Sequence, residues 1–164
     1  MRRDAKKKIV SRAALAAHSR RMARAGKKLV FTNGCFDLMH PGHVSLLSRA
    51  RKLGDALAVG LNSDASVRAL KGPQRPILTQ KERAEVLAAL ECVDYVVIFR
   101  EPTPERIIRA VRPRILVKGG DWAPSTVIGR EAVENDGGEV RILPLRPGCS
   151  TTAILRRILS RRMR

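Results

Sequence analysis

The stretch Leu29-Val30-Phe31-Thr32-Asn33-Gly34-Cys35-Phe36-Asp37-Leu38-Met39-His40-Pro41-Gly42-His43 passes from a short apolar run into a helix start. Leu29–Thr32 reads as a buried strand, because its residues are apolar or β-branched and a turn follows at once. Gly34 lets the chain bend tightly as it leaves that strand. Pro41 sets φ for a first helical turn that also holds Gly42 and His43, and Val44, Leu47 and Ala50 continue at helical spacing towards Leu53. A strand that runs through a glycine turn into a helix is the opening half of a β-α-β unit.

The alternation continues along the chain. Ala56–Leu61, Tyr95–Phe99, Ile115–Val117 and Val140–Leu143 read as strands, and Gln80–Leu90, Pro104–Val111, Val127–Asn135 and Ser150–Leu159 read as helices. A basic helical segment, Ser11–Ala25, precedes the first strand, and 62–75 reads as a loop. Continuous apolar strands separated by helices indicate a parallel sheet covered on both faces. The expectation is an α/β fold with a single, doubly wound, mainly parallel five-stranded sheet. In such sheets ligands bind beyond the carboxyl ends of the strands. The turns to search are therefore Asn33–His43, Asn62–Arg75, Lys118–Trp122 and Gly148–Thr152.

The chain has 164 residues, enough for one domain with a sizeable core. No apolar run reaches the ~18 residues of a membrane span, so no membrane insertion is expected. The basic N-terminus has no apolar stretch of the kind a secretory signal needs. Cys35, Cys92 and Cys149 are too far apart for a zinc knuckle, and they suit a reducing cytoplasm. Of the net charge of +18, residues 1–28 carry +10 and residues 155–164 carry +5. This divides the chain into a basic N-terminal helical extension (1–28), a domain (29–159) and a basic tail (160–164). Aromatic content is 3%, which leaves few stacking platforms for single strands. No specific nucleic-acid partner is expected.

His40 and His43 fall near one helix N-terminus, where exposed N–H groups and the helix dipole attract phosphate. Two imidazoles there suit charge stabilisation on a transferred phosphoryl group. The plainer alternative is two histidines that cap a helix or fill a cleft. Ser150, Thr151 and Thr152 open the last helix, where such residues cap in any protein and also bind phosphate. Cys35 and Cys149 sit in these two turns, where cationic surroundings are expected to favour the thiolate. His18, outside every motif, is expected to be exposed.

The turn GCFDLMHPGH (34–43) resembles the HxGH signature of the nucleotidyltransferase superfamily. A second motif of that superfamily, (G)xSTT, is matched by Gly148-Cys149-Ser150-Thr151-Thr152, in the right order. Within it, Thr32–Asp37 (TNGCFD), 61–72 (LNSDASVRALKG), Arg75-Pro76, 89–97 (ALECVDYVV), 116–122 (LVKGGDW) and 148–152 (GCSTT) resemble D-glycero-β-D-manno-heptose 1-phosphate adenylyltransferases. The resemblance covers about residues 29–159. It implies a Rossmann-like nucleotidyltransferase fold and adenylyl transfer from ATP to a sugar 1-phosphate, with Mg²⁺ carried on the phosphates and no direct protein ligand to the metal. By the same resemblance His40, His43 and Lys71 are catalytic. Thr32, Asn33, Gly34, Cys35, Phe36, Lys118, Gly119, Asp121, Ser150, Thr151 and Thr152 join the two histidines at ATP. Asp37, Asn62, Asp64, Arg75 and Arg83 are expected at the substrate, with Asp37 orienting it or a metal-bound water. A cytoplasmic homo-oligomer, dimer or higher, is expected.

One departure stands out. Cytidylyltransferases of this superfamily place an arginine three residues before the glycine of the last motif, where this chain has Leu145. Arg146 is one step closer, and alternation along an extended strand would turn it to the other side. Two other readings remain at this stage. One is cytidylyl or adenylyl transfer to a polyol, flavin or pantetheine phosphate, separable by trials with CTP and ATP. The other is a basic nucleic-acid-binding module on the same fold, favoured by the charged ends and opposed by His40, His43 and Ser150–Thr152.

Overall fold

The computed structural model describes residues 4–161, so 162–164 of the expected basic tail lie outside the described residues. The five strands are β1 (Leu29–Gly34), β2 (Ala56–Asn62), β3 (Tyr95–Phe99), β4 (Ile115–Gly119) and β5 (Glu139–Leu143). They form one sheet in the order β3-β2-β1-β4-β5, and every pairing is parallel. The order reverses between β1 and β4, which makes their carboxyl ends, Asn33-Gly34 and Lys118-Gly119, the switch point where ligands bind in open α/β sheets.

The described residues also form seven α-helices: α1 (Arg12–Arg24), α2 (Pro41–Arg51), α3 (Asp64–Lys71), α4 (Gln80–Ala89), α5 (Glu105–Val111), α6 (Arg130–Asn135) and α7 (Thr151–Arg161). Alternate strand residues feed two cores, one on each face. Val30, Leu57, Val59, Leu61 and Val117 meet Leu47 of α2 and Leu87 of α4 on one side. Leu29, Phe31, Val97 and Leu116 meet Leu15 of α1 and Ile107 and Ile108 of α5 on the other. Gly60 is a glycine because the Phe31 ring passes over it; an added Cβ would lie 2.6 Å from Phe31 Cζ.

Three expectations from sequence change. Residues 62–75 are not all loop, since Asp64–Lys71 forms α3. Ser63 caps it by accepting from the Ser66 N–H, Val67 is fully buried, and Gly72 ends it at φ +94°. Lys71 thus sits in a helical last turn. The expected helix 127–135 starts only at Arg130, after a 3-10 turn at Pro124–Thr126. Gly129, at φ +90° and packed on Ile108, breaks the run. His18 is half-buried and stacks on Tyr95 at 4.9 Å between ring centroids.

The described part of segment 1–28 packs on the domain. Leu15 is fully buried and Ala16 and Ser19 nearly so, all on the inward stripe of α1. The Val10 N–H donates to Val96 O at 2.9 Å, and Ile9 bridges to Val96, so this segment covers the otherwise open edge at β3. Leu15→Ala should therefore destabilise the fold by about 2–5 kcal/mol, the cost of a cavity in a closed core. Denaturant unfolding followed by circular dichroism checks this, and a change near zero would show α1 to be peripheral.

Candidate active site

β1 delivers Asn33 and Gly34 to the carboxyl edge, and the chain then makes a strained turn. Phe36 (φ +45°) and Leu38 (φ +51°) both adopt left-handed backbone, which costs a residue with a Cβ of order 1 kcal/mol. What holds them is Asp37 between them. Its carboxylate is buried and accepts from Arg75 Nε at 2.7 Å, the Ile77 N–H at 2.8 Å and the Leu78 N–H at 3.0 Å. Its backbone oxygen accepts from Thr151 Oγ1 at 2.7 Å. Burial works to raise the Asp37 pKa, but the two amides and the guanidinium outweigh it and hold the carboxyl below its ordinary value.

Arg83 completes the frame. Its side chain is fully buried, with Nη1 donating to Cys35 O at 2.5 Å, Nε to Leu78 O at 3.0 Å and Nη2 to Asp64 Oδ1 at 2.8 Å. Asn62 is buried too, with Nδ2 donating to Ser66 Oγ at 2.9 Å. Asp37, Asn62, Asp64 and Arg83, expected at the substrate, thus have protein partners that tie the first turn to α3 and to the loop before α4. Arg75 differs. Beyond its bond to Asp37 no other side-chain hydrogen bond is found among the described residues, which leaves its terminal nitrogens available.

His40 is the residue at which α2 begins, Pro41 takes its first position, and His43 follows in the first turn. The two imidazoles stack at 3.7 Å between centroids and 21° between planes, and Phe36 lies 5.2 Å from His43. Gly42 permits this, because an added Cβ would lie 2.9 Å from Cys149 Cβ and 3.0 Å from the His40 ring. The two motifs therefore touch at Gly42, although they are far apart in sequence. Desolvation lowers the pKa of both histidines. That of His43 falls to about 4, with His40 adding to the fall and Asp37 opposing it. Both are neutral at pH 7, and both Nδ1 atoms are buried without a hydrogen-bond partner.

Across the switch point, Lys118 Nζ donates to Asn33 Oδ1 at 2.7 Å. Desolvation brings this lysine down to about 8. Gly119 is crowded by Leu145 and Leu46, where an added Cβ would find carbons at 2.8 and 2.9 Å. Gly120, at φ +121°, lies against exposed Trp122. Asp121, Arg146 and Thr152 are exposed. Ser150 Oγ accepts from the Ala153 N–H at 3.1 Å and so caps α7. Thr32 is buried in β1. Lys71 is exposed at the end of α3, and its charge is felt at Cys35.

The expectation of a thiolate-prone Cys35 is corrected. Burial raises its pKa, and this outweighs the opposing pull of Lys71, Arg83 and Arg75; Asp37 adds to the rise. The loop amides of Ile77 and Leu78 were missed from sequence. Arg75-Pro76 followed by the capping box of Thr79 and Glu82 was the signal for a fixed loop there.

Comparison with known proteins places the chain in a family. A family model described as cytidylyltransferase-like matches residues 31–157. The "Bifunctional protein HldE" of Syntrophotalea carbinolica is 59% identical over 138 residues, covering 84% of this chain and 28% of that protein. The protein of the same name from Geotalea uraniireducens is 55% identical over 155 residues, covering 94% of this chain and 32% of that protein. The chain thus spans about a third of the length of these relatives. Among solved structures, a lipopolysaccharide core biosynthesis protein from Thermoplasma volcanium superposes with a TM-score of 0.61 at 26% identity, over 74% of this chain and 98% of that one. A pantoate-β-alanine ligase from Francisella tularensis, at 14% identity and a TM-score of 0.62 over 84% of this chain and 67% of that one, shares the fold. With its motifs inside the matched span and its sheet of the same architecture, the chain belongs to the cytidylyltransferase-like family.

Proposed function

We propose that the chain transfers AMP from ATP to a sugar 1-phosphate, D-glycero-β-D-manno-heptose 1-phosphate, and so forms ADP-heptose and pyrophosphate. The observation that carries this reading is the pair of stacked, desolvated imidazoles, with unpartnered Nδ1 atoms, at the start of α2 beside the switch point. The motif resemblance to heptose 1-phosphate adenylyltransferases supports the choice of substrates.

In this reaction an oxygen of the sugar phosphate attacks the α-phosphorus of ATP. The bond from that phosphorus to the bridging oxygen breaks, and pyrophosphate leaves. The attacking group is already an anion, so no protein base is required. The work left to the protein is alignment and charge neutralisation. In this reading His40 and His43 meet the ATP phosphates with Lys71, the backbone of Asn33–Phe36 and the start of α7 at Ser150–Thr152. Lys118 reaches an ATP phosphate, Gly119 and Asp121 lie towards the nucleoside, and Arg75 reaches the sugar phosphate through its free nitrogens. Asp37, Arg83, Asn62 and Asp64 hold these groups in place. Among the described residues no group of three or more His, Cys, Asp or Glu side chains is arranged to hold a metal ion, and the Asp37 oxygens are engaged. Mg²⁺ carried on the ATP phosphates would supply further charge neutralisation. No helix among the described residues is long and apolar enough to cross a membrane; the proposal places the enzyme with ATP in the cytoplasm, as a homo-oligomer.

Pyrophosphate release measured with ATP and CTP against a panel of sugar 1-phosphates tests the reading. ATP with the heptose 1-phosphate should be the productive pair. Preference for CTP with a polyol phosphate, or no release with any pair, would overturn it. His43→Ala should lower kcat by about 10²–10³, the cost of losing one preorganised charge-stabilising donor, with the thermal midpoint little changed. Near-normal turnover in the folded variant would remove His43 from the mechanism.

The pH dependence follows from Lys118. Its charged form is the one able to attract phosphate, and the free protein loses that proton near pH 8. The profile of kcat/KM for ATP reports groups of the free enzyme, so it should fall on the alkaline side with an apparent pKa near 8. Lys118→Met should abolish that limb. An alkaline limb that persists in the variant would assign it to another group.

A further inference from the structure

At the edge of the sheet opposite the candidate site, the strands begin and several helices end. A cleft of about 540 Å³ opens there between the α1–β1 turn and the α5–β4 turn. Six cationic side chains line it, Arg20, Arg24, Lys27, Lys28, Arg112 and Arg114, against one carboxylate, Asp136. Arg112 takes that carboxylate with two nitrogens, Nη2 to Oδ1 at 2.6 Å and Nε to Oδ2 at 2.8 Å. The other five cations have no ion-pair partner among the described residues. All six are exposed around a floor of buried Leu29, Val111 and Pro113.

Helix dipoles do not account for this charge. α1 and α5 end at the cleft, and each helix C-terminus carries about half a negative charge, so two ends offset about one cation. With Arg112 paired to Asp136 and about one further cation offset by the helix ends, four remain, and their mutual repulsion works against the compact state. Nor does the candidate site account for it. β1 runs from Leu29 in the cleft to Gly34 at the site, roughly 17 Å apart at ~3.3 Å per residue. Shape narrows the ligand further. The cleft is half open, and its volume of about 540 Å³ lies in the range of small-molecule sites, about 300–1,000 Å³.

We propose that this cleft is a second anion site, and that it binds a compact oligophosphate, either an inorganic chain or the polyphosphate arm of a nucleotide. The guanidinium groups of Arg20, Arg24 and Arg114 supply forked donors and Lys27 and Lys28 supply point charges, a combination suited to several phosphoryl groups on one ligand. With this many cations at the rim, charge dominates recognition, and added salt weakens it.

The test is calorimetric titration of the full chain with inorganic tripolyphosphate at low salt, beside the nucleotides ATP and AMP. Three variants accompany it: Lys27→Glu with Arg114→Glu, the neutral pair Arg20→Gln with Arg24→Gln, and His43→Ala. All four cleft positions are exposed, so their thermal midpoints should match that of the parent. Both cleft variants should bind tripolyphosphate about tenfold more weakly or worse, as expected for lost charge-assisted contacts. His43→Ala should keep that cleft binding, because the histidine is at the other edge. Tripolyphosphate alone should bind if the ligand is a phosphate chain; tighter cleft binding of ATP than of tripolyphosphate would point to the nucleotide. Equal affinity in the parent and both cleft variants would overturn the proposal. So would loss of all tripolyphosphate binding in His43→Ala. Binding of a short DNA duplex that the cleft variants abolish, with no tripolyphosphate binding in the parent, would replace the small ligand by nucleic acid.

Discussion

A buried carboxylate inside a strained turn is costly, and the fold places one there in Asp37. Taking a charge out of water costs several kcal/mol unless it is fully hydrogen-bonded. Two amides and a guanidinium meet that requirement, and in doing so they fix three separate segments. The loop at 75–78 is held against the first turn. The strained backbone at Phe36 and Leu38 is held in its left-handed form. Through the Asp37 carbonyl and Thr151, the start of α7 is drawn to the start of α2. Arg83 repeats the arrangement with the opposite sign: a buried cation whose donors reach Cys35, Leu78 and Asp64. Each buried ion is satisfied by groups from different elements, so neither works unless the whole carboxyl edge is assembled.

That rigidity explains the electrostatics of the histidines. Desolvation disfavours the charged form of each stacked ring, and at His43 the neighbouring His40 adds to it, so both rings are neutral at pH 7, and their buried Nδ1 atoms lack partners. Leaving a buried polar atom unsatisfied costs about 1–3 kcal/mol. A protein that carries two such atoms at one helix start keeps donor and acceptor capacity in reserve for a ligand. Gly42 sets the spacing: any larger residue would push the rings apart or push Cys149 away. The glycine of the motif is thus a packing requirement between two distant segments, and it needs no special backbone angle.

Much of this architecture was legible in the sequence, for physical reasons that differ from element to element. The strands were legible because both faces of the sheet are covered, so each strand is a continuous apolar run. His40, His43 and Ser150–Thr152 were legible because their motifs are local. Asp37, Asp64 and Arg83 were legible as special residues but not in their partners, since a sequence shows that a residue is charged and not which group it faces. Helix α3 was hidden by its short length and by the glycine and prolines that follow it; its Ser63 cap was the available sign. Segment 1–28 was set apart by composition, yet the cations of α1 stand outside while Leu15, Ala16 and Ser19 pack inward. Net charge reports the outer face of a helix and is silent about the inner one.

The parallel topology also gives the molecule an electrical polarity. In a doubly wound sheet the helices run antiparallel to the strands, so their N-termini gather at the carboxyl edge and their C-termini at the other. The carboxyl edge therefore carries a positive backbone field beside the charges of Lys71, Arg75 and Lys118, and it can leave its imidazoles neutral. The opposite edge begins with a negative dipole field and must hold cations to offset it. Residues at helix ends such as Arg24 and Arg112 meet that need within one turn. Lys27, Lys28 and Arg114 lie beyond the helix ends, in the turns that lead into β1 and β4. Since a dipole's influence falls off within the last helical turn, these three charges are not there to offset it, and their positions are a choice of sequence rather than a consequence of the fold.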